Sequence, residues 1–145
     1  MEKKMLRETD VSWAAGFFEG EGSLSVTKDF TLHARVPQVD REPLDRLREL
    51  FGGNIRNKCA SGNRKPCLEW SICNAAVIRL LLAIQKFVVR TRIKDRIRMA
   101  MEFQEIKADR SRPKEERRKQ QEALYWAFKQ HNKAGAVQEA NKPRE

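Results

Sequence analysis

The run Trp13-Ala14-Ala15-Gly16-Phe17-Phe18-Glu19-Gly20-Glu21-Gly22 constrains this chain more than any other stretch. It reads as a short apolar helix in which small residues interrupt bulky ones. The helix closes on two carboxylates separated by a glycine, and Gly22 then opens a strand-like run, Ser23 to Thr27. An apolar helix ordinarily ends in polar caps facing water. This one ends in acids of the type that bind a hard cation through oxygen. The pattern points to a metal-dependent site built at a helix terminus.

The remaining composition fits one domain. The 145 residues suffice for a single core, and 40% hydrophobic content excludes wholesale disorder. The expected division is one domain over residues 1–132 and a tail over 133–145, where no periodic apolar face continues. No apolar run reaches membrane-spanning length. The first seven residues carry no apolar stretch behind their basic ones, so neither a signal peptide nor a membrane is expected, and the setting reads as intracellular. Cys59, Cys67 and Cys73 form an odd set without a Cys-x-x-Cys pair, and His33 and His131 lie far off in sequence. They read as reduced, mostly buried thiols rather than a zinc site. Thirty Lys and Arg against twenty Asp and Glu leave a net charge of +10, which attracts polyanions at long range.

The periodicities give an ordered series of elements. Asp10 or Ser12 can cap the first helix, which runs to about Gly20. Leu24 and Val26 alternate with Ser23, Ser25 and Thr27 as in a half-buried strand. After a turn near Lys28-Asp29, Leu32, Ala34 and Val36 alternate with Thr31, His33 and Arg35, and Pro37 is expected to end the pairing. A second helix fits Glu42 to Phe51, stopped by Gly52-Gly53. Ile55 begins a third strand. Residues 60–64 are loop chemistry, and a fourth strand runs from Cys67 to Cys73. Asn74 can cap an apolar helix from Ala75 to about Gln85. A further helix, Ile93 to Ala108, buries Ile93, Ile97, Ala100 and Met101, and Pro113 starts a charged one carrying Leu124, Trp126, Ala127 and Phe128. The expected fold is α+β, in the order αββαββα with C-terminal helices, its helices on one side of a four-stranded antiparallel sheet.

With the apolar strand faces against the helices, the other face carries Ser25, Thr27, Thr31, His33, Arg35, Arg56, Lys58, Glu69 and Ser71. These side chains donate to or accept from base edges and phosphates. A solvated sheet face has the same alternation, but its cationic bias and the overall charge favour DNA. Aromatics do not line it, which argues against a stacking platform for single strands.

The nine residues Ala14 to Gly22 resemble the signature of the LAGLIDADG homing endonucleases, with Glu in both acidic positions. The helix-strand-strand-helix-strand-strand-helix order extends the resemblance over roughly residues 10 to 108. The motif occurs once. Cutting both strands of a duplex needs two hydrolytic centres, so the resemblance implies a symmetric homodimer whose motif helices pack together and whose two sheets form a saddle over DNA. Ala15, Gly16 and Gly20 would allow close approach at that seam, although small residues there also serve packing under the sheet.

Carried over by position, Glu21 resembles the family's metal-binding acid, and Gly20 would offer its carbonyl to the same ion. Magnesium is the expected cofactor, since carboxylates, carbonyls and water suit it. Glu19 matches the earlier acid of the motif, a supporting one. Gln38 is similar in placement to a Gln that orients water. The family's basic residue after the third helix has no clean counterpart in Phe87 to Lys94. Arg92, then Arg90, then Lys94 are the candidates. The resemblance implies a homodimeric, magnesium-dependent endonuclease that cuts a long pseudo-palindromic site, leaves 3′ overhangs and is intron- or intein-encoded. Its rivals are a non-cleaving binder on the same fold, such as an intron maturase or transcription factor, and a basic structural protein.

Overall fold

The computed structural model describes residues 6–58 and 66–140, with side chains through Lys133. The residues of the 60–64 loop and Cys59 lie outside this set. Helix α1 spans Glu8–Glu21 and leads through Gly22 into strand β1 (Ser23–Val26). Strand β2 (Leu32–Gln38) precedes helix α2 (Glu42–Phe51). Strands β3 (Asn54–Lys58) and β4 (Cys67–Cys73) follow, then α3 (Ala75–Ile84), a short 3-10 turn, α4 (Thr91–Ala108) and α5 (Lys114–Ala140). The chain is therefore α+β in the αββαββα order with two C-terminal helices, α4 and α5, added.

The four strands form one antiparallel sheet in the order β1-β2-β4-β3. Alternation in the sequence sets its two faces. Leu24, Val26, Leu32, Ala34, Val36, Trp70 and Ile72 are buried on the helix side, with Val77, Leu80, Leu81, Ile97, Ala100, Phe103 and Phe128 from the helices. Each fully buried aliphatic or aromatic side chain of this core contributes about 1.5–3 kcal/mol relative to exposure.

Several boundaries differ from the sequence expectation for physical reasons. Pro37 does not end the pairing: it and Gln38 stand opposite Glu69 and Leu68 of β4. Strand β1 reaches β2 only as far as Arg35, so beyond that point β2 is an edge on one side and tolerates a residue without an N–H. Neither Asp10 nor Ser12 caps α1, which begins a turn earlier, after Arg7. Asp10 instead accepts a 2.8 Å bond from Arg46, whose guanidinium lies 4.2 Å from the Trp13 ring centre, pinning α2 to α1. Asn74 occupies the N-cap position of α3 at φ 52° without capping by its side chain. Its Oδ1 accepts from Lys107 Nζ at 3.1 Å and from the Leu32 N–H at 3.4 Å. Met101 is half-buried, whereas Phe103 and Ile106 fill the core face of α4. Trp126 of α5 is 54% exposed and Tyr125 takes the buried place. Cys73 is exposed and Cys67 half-buried, against the expectation of buried thiols.

The Gly52-Gly53 step is set by the sheet. Gly53 has φ 101°, and a Cβ there would stand 2.6 Å from both Ile72 Cγ2 and the Ser71 carbonyl oxygen. The neighbouring Gly52 carbonyl accepts the Trp70 indole N–H at 2.8 Å. Left-handed strain and the clash act together, so Gly53→Ala is expected to lower stability by about 2–4 kcal/mol in urea unfolding. A loss under about 0.5 kcal/mol would contradict this packing.

Candidate active site and nucleic-acid interface

The acidic end of α1 meets the start of α4. Glu19 Oε2 accepts the backbone N–H groups of Val89 and Arg90, both at 2.9 Å. One carboxylate thus ties the segment that leads into α4 to the helix carrying the motif. Charge-assisted bonds of this kind are the strong ones. Glu21, two residues on, is exposed and forms the lip of an open cleft of about 570 Å³. Glu19, Gly20, Ser25, Arg35, Arg90 and Arg92 also line it. The cleft places carboxylates and guanidinium groups around one space at the edge of the outward sheet face.

The glycine after the acids is required by room. A Cβ on Gly22 would lie 2.8 Å from the Phe18 carbonyl oxygen and closer still to the Phe18 ring. Phe18 is buried, so α1 can pass into β1 without a gap only if nothing projects there.

The cleft gathers Glu19, Gly20, Glu21, Arg90 and Arg92 and leaves two expected residues out. Lys94 lies on another side of α4, in a cleft with Lys86, Arg98, Glu102 and Glu105. Helical geometry separates it from Arg92. Gln38 is absent from the cleft lining. Its strand parity is that of Ala34 and Val36, the helix-facing rows, because it stands an odd number of residues from Arg35. Two residues that the sequence reading missed do line it. Arg96 is buried and donates from Nε to His131 Nδ1 at 3.1 Å. Asn132 donates to the Leu24 carbonyl at 3.3 Å. Both depend on α5 folding back across β1, which no local pattern announces.

The outward sheet face carries Ser25, His33, Arg35, Arg56, Lys58, Glu69 and Ser71 in one register. Ser25 faces His33, Arg35 faces Ser71, and Arg56 faces Glu69. Asn54, opposite Ser71, joins them, and Arg79 of α3 lines the same shallow concavity. Glu69 lies 3.3 Å from Lys58 and 4.0 Å from Arg35, so one acid spaces two cations. Thr27 and Thr31 fall outside the strands. They close the β1–β2 turn, where the Thr27 N–H donates to the Thr31 carbonyl at 3.0 Å and the Thr27 hydroxyl donates to Asp29.

Of the small residues expected at a seam, Ala15 is 1% exposed and belongs to the chain's own core. Gly16 and Gly20 are exposed, with open space where a Cβ would stand. Helical spacing puts Trp13, Gly16, Phe17 and Gly20 on one outward stripe. The Trp13 and Phe17 rings stack at 5.3 Å.

Among the described residues, no three His, Cys, Asp or Glu side chains gather as a ready-made metal cage. One free carboxylate and a helix-end carbonyl suit an ion that keeps several waters and takes further ligands from substrate phosphate, which is the habit of magnesium. No helix among those residues is long and apolar enough to cross a membrane.

The fold is that of the LAGLIDADG homing endonucleases. I-CvuI in complex with its target aligns at TM-score 0.67 and 13% identity, over 86% of this chain and 82% of that one. The archaeal intron-encoded I-Vdi141I, complexed with DNA, aligns at 0.64 and 20%, over 86% and 84%. I-GzeII in complex with its DNA target aligns at 0.61 and 20% identity, where 86% of this chain spans only 44% of that one. No family model and no curated protein matches the sequence.

Burial holds both histidines below the ordinary 6.5, helped by Arg35 beside His33 and by Arg96 beside His131. Both are neutral in the folded chain near neutral pH. As pH falls through 6.5 the unfolded chain takes up these protons first, so stability present above that value is lost below it. The melting temperature is expected to fall between about pH 7 and pH 5.5, and less steeply in His33→Gln/His131→Asn. Equal slopes in the two proteins would contradict the assignment.

Proposed function

We propose that this protein is a divalent-metal-dependent, site-specific DNA endonuclease acting as a homodimer. The observation that carries the reading is the cleft in which Gly20 and Glu21 face Arg90 and Arg92 beside a polar, cationic sheet face. Duplex DNA lies along that face, where His33, Arg35, Arg56 and Ser71 reach base edges and phosphates. Arg90 and Arg92 hold the phosphate to be cut. Glu21 and the Gly20 carbonyl hold the metal. When bound, magnesium polarises the scissile phosphate and lowers the pKa of a bound water. Glu19 acts on position alone, by fixing the backbone of Val89 and Arg90.

One chain supplies one such cleft, and cutting a duplex takes two. The exposed stripe of Gly16 and Gly20, flanked by stacked Trp13 and Phe17, is a surface on which two α1 helices can approach closely. That the chain spans 44% of I-GzeII supports its being one half of a two-centre assembly. Hydrolysis of one phosphodiester per subunit across the intervening groove leaves 3′ overhangs, at an insertion site of the intron or intein that encodes the chain.

The test is cleavage of the host locus lacking that insertion, with and without magnesium, by wild type and Glu21→Gln. We expect metal-dependent cutting to fall by at least about a hundredfold in the variant while binding stays within about threefold. Tight binding without cutting by wild type would instead support a non-cleaving binder.

The seam is tested separately. At Gly16 an added Cβ meets nothing within 4 Å in the chain itself, and Gly16→Leu replaces an exposed helical glycine. The subunit is therefore expected to stay folded, with about 0.5–1 kcal/mol of helix propensity gained. Sedimentation should show the dimer replaced by monomer, with cutting lost. A dimer that persists would refute this seam.

A further inference from the structure

At the opposite end of the β1–β2 hairpin from the catalytic cleft lies a second open cleft, of about 510 Å³. Lys28 on the turn, Lys107 at the end of α4, Arg110 in the connection, and Lys114, Arg117 and Arg118 on α5 line it. Asp29 is the one carboxylate among its lining residues. No ion pair joins any of these six cations to an acid among the described residues. Six like charges around one acid repel each other and hold a standing attraction for a polyanion.

The cleft is built on a fixed frame. The turn closes through the Thr27–Thr31 bond and a 2.9 Å bond from the Phe30 N–H to the Thr27 carbonyl. Phe30 has φ 60° and packs edge-on against Phe103 at 6.3 Å and Tyr125 at 6.2 Å. Lys107 Nζ donates to the Phe30 carbonyl at 2.9 Å. Turn, α4 and α5 therefore hold one geometry while the exposed Lys28, Arg110, Lys114 and Arg118 reach outward.

We propose that this cleft binds the phosphate backbone of the duplex flanking the site cut, without regard to sequence. The inference rests on the sheet-face reading above. From Ser23 to Val26 strand β1 advances about 10 Å, the length of about three base pairs of duplex, and the turn that follows carries Lys28. A duplex that leaves the catalytic cleft along the hairpin thus meets these cations at its flank. Their chemistry favours backbone over bases: the lining aromatic, Phe30, is engaged with Phe103 and Tyr125 and offers no stacking platform for a single strand.

The test measures the salt dependence of binding to a random-sequence duplex. The proteins are wild type, a cleft variant (Lys28→Gln, Arg110→Gln, Lys114→Gln, Arg118→Gln), and a charge-matched control (Arg41→Gln, Arg48→Gln, Lys86→Gln, Arg98→Gln). Each phosphate contact contributes about 0.9 to the slope of log affinity against log salt. The cleft variant is expected to lose about two to four from that slope, and about tenfold or more in affinity near 100 mM salt, equally for unrelated sequences. An equal loss in the control, or none in the cleft variant, overturns the proposal. So does a loss confined to a structured RNA hairpin used as a second probe. Thermal unfolding monitors each variant, and Lys28→Gln/Arg118→Gln replaces the fourfold change if that one fails to fold. Arg35→Gln/Arg56→Gln tests the sheet face itself. If it leaves duplex binding unchanged, the underlying reading fails. If it weakens binding while the cleft variant does not, only this inference fails.

Discussion

The bonds from the Val89 and Arg90 N–H groups to the Glu19 carboxylate hold two remote parts of the chain in one place. Without them the C-terminal end of α1 and the N-terminal end of α4 would be adjacent only through packing. With them, an acid-bearing helix end and an arginine-bearing helix start share a cleft whose width the backbone sets. The motif's two acids therefore divide their labour by direction. Glu19 points inward to the protein, and Glu21 remains exposed on the lip.

Helix α1 carries a second division, around its circumference. Val11, Ala14, Ala15 and Phe18 face the core, while Gly16 and Gly20 face outward with room above them. A helix with small residues on both sides packs closely against its own core through one face and leaves room for a close approach on the other. The buried alanines do the first. The exposed glycines cost the isolated helix about 1 kcal/mol each in propensity, a cost that the proposed dimer seam would account for.

Much of this was legible in the sequence because it repeats at short range. The alternation from Leu24 to Val26, Leu32 to Val36 and Leu68 to Ile72 specified the sheet and its outward row. Pro43 and Gly52-Gly53 bounded α2 at Glu42 and Phe51. The single motif located the acids. The errors came where a residue's role depends on a distant neighbour. Pro37 pairs because β1 is too short to reach it. Thr27 and Thr31 continue the strand pattern but close a turn. Ala15 looks as available as Gly16 until the fold buries it.

The sequence by itself determined the order of the elements, the face each strand presents and the presence of two acids at a helix end, because each follows from the period of a helix or strand and from local backbone preference. Only the tertiary structure decided which basic residues meet those acids. Arg90 and Arg92 line the cleft together with Arg96 and Asn132, while Lys94 and Gln38 lie outside it. The physical reason is that a cleft between helix ends depends on how α4 and α5 cross the sheet. That crossing is fixed by packing and by hydrogen bonds between residues more than thirty positions apart, and no local pattern encodes them.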